Sequence, residues 1–122
     1  MLQSLGSLYE RRKRAQEALA TYEKALTEQA SPQYQATVLY KMVRIKREAG
    51  DVDGTVKTWE KAIGIQPDVE YGCRWRLALA QYCAEQELGP KARSLCEDIL
   101  RISKTEATRT EASRLLEKLP SP

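Results

Sequence analysis

The chain has 122 residues, with 20 Lys plus Arg against 17 Asp plus Glu, a net charge of +3, three Cys and neither His nor Phe. At 42% apolar and 30% charged residues it suits one soluble folded domain rather than a disordered chain. Without His, a Ser–His or Cys–His nucleophile pair is impossible within the chain, and the longest apolar run, Leu77-Ala78-Leu79-Ala80, falls far short of the ~20 residues that cross a bilayer.

In chain order, Leu5, Gly6 and Leu8 belong to a first helix, and Ala18, Tyr22, Ala25 and Leu26 to a second. The run Arg11-Arg12-Lys13-Arg14 between them reads as a solvated turn. Ser31 then offers an N-cap and Pro32 a first helical turn. Val38, Leu39, Met42, Val43, Ile45 and Ala49 recur at the three-and-four spacing of an amphipathic helix. Gly50-Asp51 breaks that helix, and Asp51 to Asp53 caps the next. Val52, Val56, Trp59, Ala62 and Ile63 form the next apolar stripe, which ends at Gln66-Pro67. The plan repeats from Asp68, with Gly89-Pro90 as the break. Thr105 to Leu119 makes one more helix with a single stripe of Ala112, Leu115, Leu116 and Leu119, stopped by Pro120-Ser121-Pro122. No segment alternates at period two, so no strand is predicted.

A gapless self-similarity at a period of 37 residues orders these elements. Thr21-Tyr-Glu-Lys-Ala-Leu26 aligns with Thr58-Trp-Glu-Lys-Ala-Ile63 and Leu95-Cys-Glu-Asp-Ile-Leu100. Ala18 aligns with Thr55 and Ala92, Leu5 with Met42 and Leu79, and Leu8 with Ile45 and Tyr82. No helix of such a unit can bury its stripe alone, and stacking successive pairs makes one continuous core. The expected fold is all-α, a right-handed α-solenoid of antiparallel helix pairs with about seven helices. A single domain is expected over 1–119, in units of about 1–30, 31–67 and 68–104, with a capping helix at 105–119 and a tail at 120–122. Extrapolated backwards, the repeat starts its first helix before Met1, so the chain reads as a piece of a longer array or, alternatively, as a naturally short protein.

Leu5-Gly6-x-x-Tyr9, Ala18-x-x-x-Tyr22-x-x-Ala25 and Thr55-x-x-x-Trp59-x-x-Ala62, ending in Pro67, resemble the tetratricopeptide repeat. The period exceeds that family's 34 by three residues; Val43 replaces its small residue and Lys46 its tyrosine. The resemblance implies a non-enzymatic interaction module that holds a peptide or protein surface in a groove lined by first helices. Off-stripe positions on those helices are Gln3, Ser7 and Glu10, then Tyr40, Arg44 and Arg47, then Arg74, Leu77 and Gln81, then Arg114 and Lys118. Tyr40, Arg44, Arg47, Arg74, Leu77 and Gln81 are the expected partner-binding set. Arg pairs bidentately with carboxylates and Tyr adds contact area at low entropic cost, so an acidic segment or C-terminal carboxylate is the expected ligand.

Two other readings come from different classes. Residues 1–61 carry 11 basic and 8 acidic side chains and residues 62–122 nine of each, a weak bias for an RNA-contacting repeat. Self-association through an apolar N-terminal end at Leu2, Leu5 and Leu8 is the other. Cys73, Cys83 and Cys96 are odd in number with no CxxC pair, which points to reduced thiols in an intracellular, cytoplasmic or nuclear, compartment and to buried apolar roles. Asp51-Val-Asp-Gly54 loosely matches a calcium loop, but Ala49 stands where such a loop needs an acid. No metal or cofactor is expected.

Overall fold

The structure is a computed structural model that describes residues 2–26 and 31–120, with side chains from residue 12 onward. The described residues form six helices: α1 (Leu2–Leu26), α2 (Pro32–Glu48), α3 (Val52–Ile65), α4 (Val69–Glu85), α5 (Gly89–Ile102) and α6 (Glu106–Lys118). No strand occurs among the described residues, so the protein is all-α. The chain divides into two compact units, residues 1–62 and 63–122.

From Ser31 onward the helix boundaries repeat at the 37-residue period of the sequence. α2, α4 and α6 begin at Pro32, Val69 and Glu106, and α3 and α5 begin at Val52 and Gly89. α2 and α4 are both 17 residues long, α3 and α5 both 14. The stop signals recur too. After α2, Gly50 takes a φ of 80°, its N–H donates to the Arg47 carbonyl, and the Asp51 N–H donates to the Lys46 carbonyl. After α4, Glu87 takes a φ of 61°, its N–H donates to Ala84, and the Leu88 N–H donates to Cys83. Both are Schellman turns, which satisfy the last helical carbonyls around one left-handed residue.

The starts are capped from the side chain. The Ser31 hydroxyl accepts the Tyr34 N–H at 3.2 Å, and the Asp68 carboxylate accepts the Tyr71 N–H at 2.9 Å. Asp51 does the same for α3, accepting the Gly54 N–H at 3.0 Å. A Cβ on Gly54 would meet that carboxylate at 2.1 Å, so glycine lets the cap close. The acid suggestive of a calcium loop is thus engaged as a helix cap.

One expectation needs correcting here. About seven helices were expected, with a turn at Arg11-Arg12-Lys13-Arg14; instead α1 runs unbroken through that run for 25 residues. At the repeat positions of the left-handed residues Gly50 and Glu87 stands Lys13, which is helical. The second turn has a glycine, and the third is enforced by Pro90, which cannot sit inside a continuous helix. The segment Lys13-Arg14-Ala15-Gln16 has neither device and consists of strong helix formers. Pro90 stands in the first turn of α5, as its fixed φ suits, and only the position of the break shifts, to Gln86 to Leu88 just before Gly89.

In the first unit α1 packs against α2. α2 and α3 meet where Tyr40 stands edge-on to Trp59, with ring centroids 5.8 Å apart, and where Lys46 Nζ donates to the Thr58 hydroxyl at 2.9 Å. The first unit's buried residues, among those described, are Ala36, Val38, Leu39, Met42 and Val43 of α2 with Thr55, Val56, Thr58, Trp59 and Ala62 of α3. Ile45 is only half-buried and Ala49 is exposed. In the second unit α4 packs on α5 and α6, and α5 on α6. Leu77, Ala80, Cys96, Ile99 and Ala112 form its core, flanked by Leu95, Leu100, Leu115 and Leu116.

Candidate functional site

Tyr40, Arg44 and Arg47 follow one another at spacings of four and three, which places them on one face of α2. With Val43, Glu48 and Trp59 they line a cleft of about 530 Å³ in the first unit. Trp59 is buried and props Tyr40 from the side, so the phenol ring has a defined position. Burial pushes the Tyr40 hydroxyl above its usual pKa, with the Arg47 charge acting the other way, so Tyr40 is neutral and can donate a hydrogen bond.

Arg44 and Arg47 are exposed, and Arg44 Nε lies 3.5 Å from the Glu48 carboxylate one turn on. Both side chains of that pair are largely in water, at 84% and 71% exposure. Such a pair is worth about 0.3–0.5 kcal/mol, so a stronger carboxylate ligand can displace Glu48. The Arg44–Glu48 pair was legible in the sequence from its four-residue spacing on one helix, but the choice of off-stripe positions passed over it.

Of the other expected site residues, Arg74, Leu77 and Gln81 lie on α4 in the second unit. Arg74 is exposed, with its guanidinium 4.6 Å over the ring of Tyr71, itself half exposed and edge-on to Trp75 at 6.5 Å. Gln81 is exposed. Leu77 is a correction: at 8% exposure it belongs to the second unit's core and presents no contact surface. Arg114 and Lys118 of α6 are exposed. The side chains of Gln3, Ser7 and Glu10, and those of Leu2, Leu5 and Leu8, lie outside the described residues.

A polar cluster that sequence reasoning did not single out joins the ends of three helices. The Glu70 carboxylate accepts the Ser103 hydroxyl at 2.9 Å, the Lys104 N–H at 2.8 Å and the Thr105 hydroxyl at 2.7 Å. Those bonds, the Lys104 N–H foremost, hold its pKa below the usual value. Arg109 of α6 donates to the carbonyls of Leu100 and Ser103 at the end of α5. These bonds tie the start of α4 to the connection between α5 and α6, and the cluster is a helix clamp. The three cysteines are buried and none is in a disulfide. Burial raises Cys73 and pushes Cys96 up to about 11, against the pull of Arg93, which leaves these side chains as unreactive packing groups.

No family model matches the chain, and comparison with curated proteins and with solved structures finds no match to it.

Proposed function

We propose that this chain is a tetratricopeptide-like helical-repeat module, a right-handed α-solenoid without catalytic chemistry, that works as an intracellular adaptor. Its ligand is an acidic segment or C-terminal carboxylate of a partner protein, held by Arg44, Arg47 and Tyr40. The observation that carries this reading is the single cleft lined by two exposed arginines and a positioned, half-buried tyrosine. A carboxylate there receives forked guanidinium bonds and a phenol donor beside the rigid wall of Trp59. Within the second unit, Arg74 and Gln81 are exposed on α4. The 37-residue recurrence of helix starts, stops and caps supports the repeat assignment.

Titration of the protein with acidic C-terminal peptides tests the reading. The wild type binds, and Arg44→Ala/Arg47→Ala weakens binding by at least about tenfold, because charge-assisted hydrogen bonds contribute roughly 1.5–3 kcal/mol each. Glu48→Gln tightens binding by about twofold, since it removes the competing carboxylate from Arg44. Equal affinity in the wild type and the double-arginine variant would remove the basic cleft from the function. A salt-sensitive affinity for single-stranded RNA that exceeds the peptide affinity would favour the RNA-contacting reading.

A further inference from the structure

Residues 18, 22 and 25 of α1 occupy the repeat positions of Thr55, Trp59 and Ala62 in α3 and of Ala92, Cys96 and Ile99 in α5. All six of those counterparts are buried, with relative exposures from 0% to 2%. Ala18, Tyr22 and Ala25 are only half-buried, and no described residue of α1 is fully buried. A cleft of about 800 Å³ opens beside them, lined by Ala15 and Ala18 of α1 and by Ile45 and Ala49 of α2. In the later repeats the helix that precedes the turn folds back over this face. In the first repeat it cannot, because Lys13 is helical and residues 2–11 continue straight on from the face they should cover.

The covering sequence is nonetheless present. Leu5 and Leu8 stand in register with Met42 and Ile45 and with Leu79 and Tyr82. A second copy of the chain can supply it by reciprocal exchange, the low-barrier route by which one element changes partners without any new surface. We propose that this protein forms a two-fold dimer in which residues 2–11 of each α1 lie antiparallel across residues 15–26 of the other copy's α1. The proposal rests on the repeat register and is independent of the acidic-ligand reading.

The register predicts the pairing. Lys46 touches Thr58 across the α2–α3 pair, and the positions one repeat earlier are Tyr9 and Thr21. Those two residues meet between chains in the exchanged dimer. That pairing puts the two-fold axis near Ala15, beside which the basic runs Arg11 to Arg14 of both copies gather. Like charges at the axis oppose assembly and salt screens them, so the dimer tightens as ionic strength rises. An acidic partner bound to the same face would show the opposite dependence.

Sedimentation of the full chain over a wide concentration range, at low and high salt, should show a dimer whose dissociation constant falls with salt. The variant Lys13→Gly/Gln16→Pro copies the glycine of the second turn and the proline of the third, and should be monomeric with unchanged helix content. Mixing Tyr9→Cys chains with Thr21→Cys chains under oxidation should give a mixed disulfide dimer that neither variant forms alone, since the native thiols are buried. A wild-type monomer at every concentration and salt, or a dimer that salt weakens, overturns the proposal. So does the absence of a mixed disulfide when a single chain carrying both cysteines closes its own bond.

Discussion

Glu87 and Gly50 hold the same place in successive repeats and the same left-handed backbone, at φ 61° and 80°. For a residue with a Cβ that conformation costs about 1 kcal/mol, which glycine avoids. Glu87→Gly should therefore raise the urea midpoint by an amount worth about 0.5–1 kcal/mol. Gly50→Ala should lower it by about 1 kcal/mol, and the loss is purely conformational because nothing lies within 4 Å of the added Cβ. Equilibrium unfolding of the two variants beside the wild type checks both signs. Gly50 was legible as a helix stop from its residue type alone. Glu87 was not, because glutamate favours helix and only the proline three residues on forces the chain to turn.

At the scale of helices, α6 is tied to α4 and α5 by more than its apolar stripe. The N-cap residues Ser31 and Asp68 cap their own helices, whereas Thr105 turns its hydroxyl to Glu70 and makes no cap bond. The Glu70 carboxylate is partly exposed and holds three donors from consecutive residues of the α5–α6 connection. Its pKa is lower in the folded state than the ordinary 4.5. The contribution of these bonds is therefore complete above that ordinary value and is lost as pH falls through the lower folded value. Urea midpoints measured down a pH series should fall in acid for the wild type. Glu70→Gln should be less stable at neutral pH and show a flatter acid limb, and an unchanged limb would assign the acid sensitivity elsewhere. The clamp was invisible in sequence because Glu70 lies more than 30 residues from its donors, and an acid in a first helical turn is explained equally well by the helix dipole.

For the molecule as a whole, all three cysteines fall in the unit at residues 63–122, buried and outside any disulfide. At pH 8 a thiol with a pKa of about 11 is ionised in only about one molecule in a thousand, so Cys96 should resist an aromatic disulfide reagent in the native state. In rising urea the three thiols should become reactive together with the loss of helix signal. A fast native phase at Cys96 would show that the core opens locally. The sequence alone determined the all-α class, the 37-residue period, the caps at Ser31 and Asp51, the helix start near Asp68, and the glycine stop after α2. These depend on residue type and spacing within one or two turns, where backbone hydrogen bonding and side-chain sterics decide the outcome. Tertiary structure decided that Leu77 belongs to the core and that Glu70 ties three helix ends. Both depend on which surfaces meet after the chain has packed, between residues far apart in sequence, where local spacing and residue type carry no signal.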